Sequence, residues 1–198
     1  MMNHTRFGLL SALSALALTA ATPAQAVTLV KQSDGSAYSG NVTASLSSMT
    51  LVLNSILRNV TCNQSSMSAI ALSNGSDVDV TAASFTYDGG ACLNSDSGTT
   101  ALTAVAPWSN GSFTLNTLTL MGVKVKTAGS GLTCYWKGGG TGGSIALAVS
   151  NGPTDLEARA ISVKLIKDTG SDFLCPSSGT MTGTYVLRTS AGEALRVQ

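Results

Sequence analysis

Residues 136–144 read Trp-Lys-Gly-Gly-Gly-Thr-Gly-Gly-Ser, and Gly138, Gly140 and Gly143 satisfy the G-x-G-x-x-G pattern of a dinucleotide loop. That chemistry needs a strand before the loop and a helix after it, whose N-terminus receives the pyrophosphate. The preceding run, Leu132 to Lys137, contains a cysteine expected in a disulfide, and the following run, Ser144 to Ser150, stops at Asn151-Gly152-Pro153. Asp155 and Glu157 come too early to hold a ribose, and Ser144 stands where a phosphate loop requires lysine. The glycines therefore read as a flexible hairpin loop, not a nucleotide site. Trp136 beside the loop and Trp108 upstream are the candidate ligand-binding residues, as platforms for a glycan or a small apolar molecule.

Other catalytic constellations are missing. The single histidine, His4, lies in the leading segment, so the chain beyond that segment has no Ser-His-Asp or Cys-His catalysis and no histidine–metal centre. Asp77 and Asp79 fall on one face of an expected strand, where carboxylates can take Ca²⁺ or flank a sugar, but they read first as a solvated outer face. Asp168 and Asp172 read as loop solubility residues before Cys175. The expectation is a protein that is not an enzyme, with no catalytic residues, no metal and no cofactor.

The leading segment explains where such a chain resides. Arg6 precedes an apolar Leu/Ala run that ends in Ala24-Gln25-Ala26, the form of a secretory signal peptide over residues 1–26. The run is too short to span a bilayer, which takes roughly 20 residues. Residues 27–198 then form the secreted domain, at a length suited to one core. Eleven basic residues face ten acidic ones, and charged residues are only 11% of the chain. With Arg6 removed the balance is even, so nothing draws the chain to nucleic acid. The Ala-rich leader points to a bacterial protein, secreted or held in the periplasm or at the cell surface.

Cys62, Cys92, Cys134 and Cys175 all come after the leader, and an even count in that setting reads as two disulfides. Without a C-x-x-C pair or a usable histidine, zinc is not expected. Four cysteines allow three pairings. An internal parallel favours the sequential one. The first half runs Cys62, then an apolar strand to Ser73-Asn74-Gly75, then a strand, then Cys92. The second runs Cys134, then an apolar strand to Ser150-Asn151-Gly152, then a strand, then Cys175. The expected modules are 27–107 and 108–198, each with its own bridge.

Alternation governs the rest. Val123 and Val125 oppose Lys124 and Lys126; Met181, Tyr185 and Leu187 oppose Thr182 and Thr184. Period 2 with Thr and Lys outside marks half-buried antiparallel strands. Val78 and Val80 are out of phase with Phe85 and Tyr87, which places a β-bulge near residues 82–84. Residues 48–60 read as strand, and so does the stretch after the capping-box-like Thr154-Asp-Leu-Glu157. Ten to twelve strands are expected in an all-β, antiparallel β-sandwich of two similar disulfide-containing modules. An outer-membrane barrel would carry aromatic girdles, whereas aromatics are 5% here and the chain ends Leu-Arg-Val-Gln.

The segment Leu174-Cys-Pro-Ser-Ser-Gly-Thr-Met-Thr-Gly-Thr-Tyr-Val-Leu187, preceded by a Thr-rich strand, a V-x-V strand and Cys-Tyr, resembles small secreted bacterial β-proteins that include alkane-oxidation activator-like proteins. The likeness covers about residues 113–190. It implies a secreted, non-catalytic β-protein at a cell surface or apolar interface, and it carries over no site residue. The expected function is a non-enzymatic secreted or cell-envelope protein with a structural or surface-interaction role. The alternatives are a fimbria-like subunit that self-associates by donating Val27–Val30 to an open sheet edge, and a binder of small apolar ligands or glycans.

Overall fold

The computed structural model describes residues 27–48, 51–55 and 59–198, with the backbone pairing alone given for 51–55. The leader and parts of the 48–60 stretch lie outside the described residues. The strands are β1 (Leu29–Lys31), β2 (Gly40–Leu46), β3 (Leu51–Ser55), β4 (Asn59–Cys62), β5 (Gln64–Ala71), β6 (Val78–Thr86), β7 (Cys92–Asn94) and β8 (Thr99–Ala104). They continue as β9 (Trp108–Phe113), β10 (Thr117–Leu120), β11 (Lys124–Gly129), β12 (Leu132–Gly138), β13 (Ile145–Asn151), β14 (Leu156–Lys167), β15 (Ser178–Thr189) and β16 (Leu195–Val197). Among the described residues the one helical element is a three-residue 3₁₀ turn, Thr141–Gly143.

The pairings resolve these segments into eight long traverses of one barrel. β2 pairs β5 while β3 pairs β4, so β2–β3 and β4–β5 are two neighbouring traverses, each in two pieces. The next neighbours come in chain order: β6–β7 on β4–β5, then β8–β9, β10–β11, β12–β13, β14 and β15. β15 then pairs back onto β2 and β3, which closes the ring. This is an up-and-down antiparallel barrel of eight strands, each strand long enough to build an upper and a lower half.

The sandwich expectation is thereby corrected. A sandwich and a barrel both bury one face of every strand, so alternation serves either; only the pairing of the last traverse with the first separates them. The halves are not two closed modules either. Both contribute traverses to one barrel, and the 107/108 division falls inside the fourth traverse, between β8 and β9. The midpoint of the ring is the β9–β10 turn at 114–116.

Inward positions are apolar. Along β15 the buried residues are Gly179, Met181, Gly183, Tyr185, Leu187 and Thr189, while Ser178, Thr180, Thr182, Thr184, Val186 and Arg188 point out. β12 buries Cys134, Trp136 and Gly138, and β13 buries Ile145, Leu147 and Val149. An eight-stranded barrel is just wide enough for such side chains to fill, and here small residues such as Ala44, Ala69 and Ala158 alternate with Phe85, Phe113 and Tyr185. The described wall is the reverse of a membrane-spanning barrel, which turns its apolar side chains outward. No helix among the described residues is long and apolar enough to cross a membrane.

The upper mouth is covered by the first and last strands. β1 and β16 form a two-stranded ribbon that buries Leu29, Leu195 and Val197. Asn151 pins it by donating its side-chain amide to Val197 O at 2.7 Å and accepting Val197 N–H at 2.9 Å. Breaks in mid-traverse are bridged locally. The bulge opposite Ser68 and Ala69 leaves Thr81 without a partner on β5, a residue or more before the position read from the sequence. The turn-like Asp88-Gly89-Gly90 is an in-line excursion between β6 and β7, closed by Tyr87 pairing with Gly90.

Candidate functional site

Trp108 and Trp136 lie on inward positions and are 1% and 2% exposed. The Trp136 indole N–H donates to Thr127 Oγ1 at 3.1 Å, and the Trp108 N–H is shared between Val105 O and Lys124 O, both at 3.2 Å. Both rings fill the barrel, so neither offers the open platform the sequence suggested. Parity already carried the signal, because Trp136 shares a face with Cys134.

The upper interior holds a void of ≈ 40 Å³ among Ala44, Met67, Ala69, Ala71, Ala158 and Tyr185. The Tyr185 hydroxyl, the polar group at its edge, bonds Ser65 Oγ at 3.0 Å. Burial pushes that phenol up to about 12. A ligand site of ordinary size is about 300–1,000 Å³, so this void is a packing gap on that scale.

The cysteines pair sequentially. Cys62–Cys92 joins neighbouring strands β4 and β7 with both sulfurs inside the barrel, and Cys134–Cys175 ties β12 to the loop after β14. Both bridges brace the lower half. Asp79 accepts the Asn110 N–H at 2.9 Å and so stabilises the positive φ of Asn110 in β9. Among the described residues no group of three or more of His, Cys, Asp or Glu converges as a metal set would.

A concavity of ≈ 330 Å³ does exist on the outer wall, and the glycine run builds it. β12 and β13 do not pair with one another. They are the two pieces of one traverse, and residues 139–144 are an in-line break between them, not a hairpin. The break is held rather than flexible. Gly138 N–H donates to Val123 O at 3.0 Å, Gly139 N–H to Lys164 O at 2.9 Å, and Val123 N–H to Gly143 O at 2.9 Å. A Cβ on Gly138 would run into the backbone of Gly143 and Ser144, and Gly142 and Gly143 have φ of +66° and +73°. Glycine is required by close approach and by conformation, which is its use in tight backbone crossings.

Lysines line this concavity. Lys124 and Lys137 stand directly opposite each other on β11 and β12, an arrangement of like charges that is unfavourable unaided. Asp168 is set between them, 3.0 Å from Lys124 Nζ and 3.1 Å from Lys137 Nζ. Its side chain is 8% exposed, while the lysines are 50% and 38% exposed. The hydrogen bond from Lys124, reinforced by that from Lys137 and opposed by burial, lowers the Asp168 carboxyl to about 2. An acid that stays ionised and is bonded on both oxygens is a poor proton carrier near neutrality. The cluster keeps one net positive charge and has ammonium N–H groups open to an oxyanion. Asp168 is thus more than the loop solubility residue its position in the sequence suggests. Its role is long-range, and no local pattern marks it.

Because the Asp168 pKa is lower folded than unfolded, its contribution is full above about pH 4 and is lost as pH falls through about 2. We expect the loss to be about 1–2 kcal/mol, since the partner lysines are half exposed. Urea midpoints measured from pH 5 to pH 2 should fall more steeply for the native protein than for Asp168→Asn. Parallel slopes would contradict this assignment.

Comparison with family models, with curated proteins and with solved structures gives no match.

Proposed function

We propose that this is a non-enzymatic secreted or cell-envelope protein with a structural or surface-interaction role, and that it acts through the outer wall of the barrel. The observation that carries the reading is the division between a filled interior and a featured exterior. Inside, both tryptophans are packed and the upper mouth is closed by the terminal ribbon. Outside, the glycine-walled concavity presents half-exposed lysines. Two disulfides fit an oxidising compartment.

A fimbria-like subunit would need an unpaired edge to receive a donor strand. The barrel's first and last traverses are paired, and Leu29–Lys31 are already paired with Leu195–Val197 of the same chain. An interior binder would need more room than the void supplies. Neither alternative has an observation that favours it over the outer-wall reading.

The test is adsorption. Purified protein should sediment with washed cells of the producing bacterium and be released by about 1 M salt, where charges are screened within about 3 Å. Protein that stays in the supernatant at low salt, or that turns over a substrate, would count against the reading.

A further inference from the structure

Phe173 is 88% exposed and Leu174 is 53% exposed, side by side in the loop between β14 and β15. Exposure of this kind in a loose loop would mean little. This loop is held on both flanks of the pair. Lys167 Nζ donates to Asp172 O at 2.8 Å, Phe173 O at 3.3 Å and Cys175 O at 3.2 Å. Asp172 N–H donates to Thr133 O at 3.0 Å, and the Asp172 carboxylate accepts Thr133 N–H at 2.6 Å. Cys175 is bridged to Cys134 and donates its own N–H to Asp172 O at 3.0 Å. Two large apolar side chains are thus presented to water on a fixed backbone, and their ordering cost is met in folding, before any partner arrives.

The wall beside them is basic. Five of the six lysines, Lys124, Lys126, Lys137, Lys164 and Lys167, lie on β11, β12 and the lower part of β14. The acidic groups on the same wall and its loop are Asp168 and Asp172. Lys126 sits 5.7 Å over the outward Tyr135 ring, and Tyr135 N–H donates to Ser171 Oγ at 2.8 Å while the Ser171 hydroxyl donates to Tyr135 O at 3.0 Å, so wall and loop are continuous. The other described charges are mostly acidic: Asp34, Asp77, Asp79, Asp88, Asp96, Asp155, Glu157 and Glu193 against Lys31, Arg159, Arg188 and Arg196. Positive charge is therefore concentrated on this wall, and the same wall carries the apolar tip.

We propose that this face docks on an anionic lipid bilayer, with Phe173 and Leu174 inserted at the acyl boundary and Lys126 and Lys164 over the headgroup phosphates, while Lys167 holds the loop that carries the pair. The inference rests on the outer-wall reading above and names its partner. An acidic polysaccharide would be served by the lysines alone and would leave Phe173 and Leu174 in water. A bilayer uses both, because peripheral binding scales with buried apolar area plus attraction to anionic lipid.

The experiment is flotation of the disulfide-bonded protein with vesicles of equal phosphatidylglycerol and phosphatidylcholine, and with pure phosphatidylcholine, at about 0.1 M salt. The expected result is binding to the anionic vesicles at least about tenfold tighter than to the neutral ones. The double variant Phe173→Ser/Leu174→Ser should lose about tenfold while its thermal unfolding stays unchanged. Phe173→Trp should add an emission that shifts to the blue with anionic vesicles, against two buried tryptophans that do not respond. Equal binding by the double variant, or no blue shift, overturns the proposal. So does binding to soluble alginate with none to vesicles, a result that leaves the outer-wall reading standing. Failure to bind vesicles, alginate and washed cells alike would overturn both.

Discussion

Replacing Trp108 with alanine is expected to lower the stability of the barrel by about 3–5 kcal/mol, a large share of the ~5–15 kcal/mol that holds a typical domain folded. Trp108 is 1% exposed at the start of β9, where the fourth traverse resumes after its break. Its ring fills the mid-barrel, and its N–H reaches Val105 O in the break and Lys124 O on the neighbouring traverse. Val105 N–H also donates to Lys124 O, so the indole reinforces the stitch that carries β8 into register with β11. Two effects are separable. Trp108→Phe keeps most of the volume and removes the donor, at an expected cost of about 1–2 kcal/mol. Trp108→Ala adds the cavity. Urea unfolding monitored by far-ultraviolet circular dichroism distinguishes them without relying on tryptophan emission. A loss below about 1 kcal/mol for Trp108→Ala would mean that the two barrel halves hold together without a packed middle.

That middle is also where the sequence was hardest to read. Along β11 and β15 the inward and outward faces were plain from alternation: Val123 and Val125 against Lys124 and Lys126, and Tyr185 and Leu187 against Thr182 and Thr184, are disposed as expected. The number of traverses was not plain. Most traverses are interrupted halfway, and an interruption has the composition of a turn. Asp88-Gly89-Gly90 and the 138–143 glycines look like hairpin tips, yet the chain continues in the same direction across each. Ser73-Asn74-Gly75 and Asn151-Gly152-Pro153 have similar composition and do reverse the chain. Only the partner strands distinguish the two cases, and partners are set by contacts far apart in sequence. The same limit hid the lysine cluster. Lys124 and Lys137 meet because β11 and β12 form a hairpin, a local event, but Asp168 arrives from the end of another traverse. The disulfide pairing was legible for the opposite reason: the repeated order of cysteine, strand, turn, strand and cysteine is a local pattern within each half.

Removing the Cys62–Cys92 bridge as Cys62→Ala/Cys92→Ala is expected to cost roughly 3–4 kcal/mol, from the loop-closure entropy that the bridge removes from the unfolded chain. Alanine is the right replacement, since both sulfurs are fully buried and a serine hydroxyl there would enter an apolar interior. The Cys134–Cys175 bridge closes a loop of similar length, 41 residues of separation against 30, and its loss should cost about the same in the same chain-entropy picture. The two variants should nonetheless differ in where they open. β4 and β7 are short strands, four and three residues, with few ladder bonds of their own, so the first bridge substitutes for pairing in the lower wall. The upper half has no bridge; it has the longer β5 and β6 and the terminal ribbon over its mouth. Amide exchange in Cys62→Ala/Cys92→Ala should therefore rise first in β4, β7 and β8, while β5, β6 and β13 keep their protection. In Cys134→Ala/Cys175→Ala the early exchange should instead centre on residues 168–177, where hydrogen bonds from Lys167, Ser171 and Asp172 would hold the loop without a covalent tie. Uniform loss of protection through both halves in either variant would mean that the barrel unfolds as one cooperative unit and that the bridges brace no particular half.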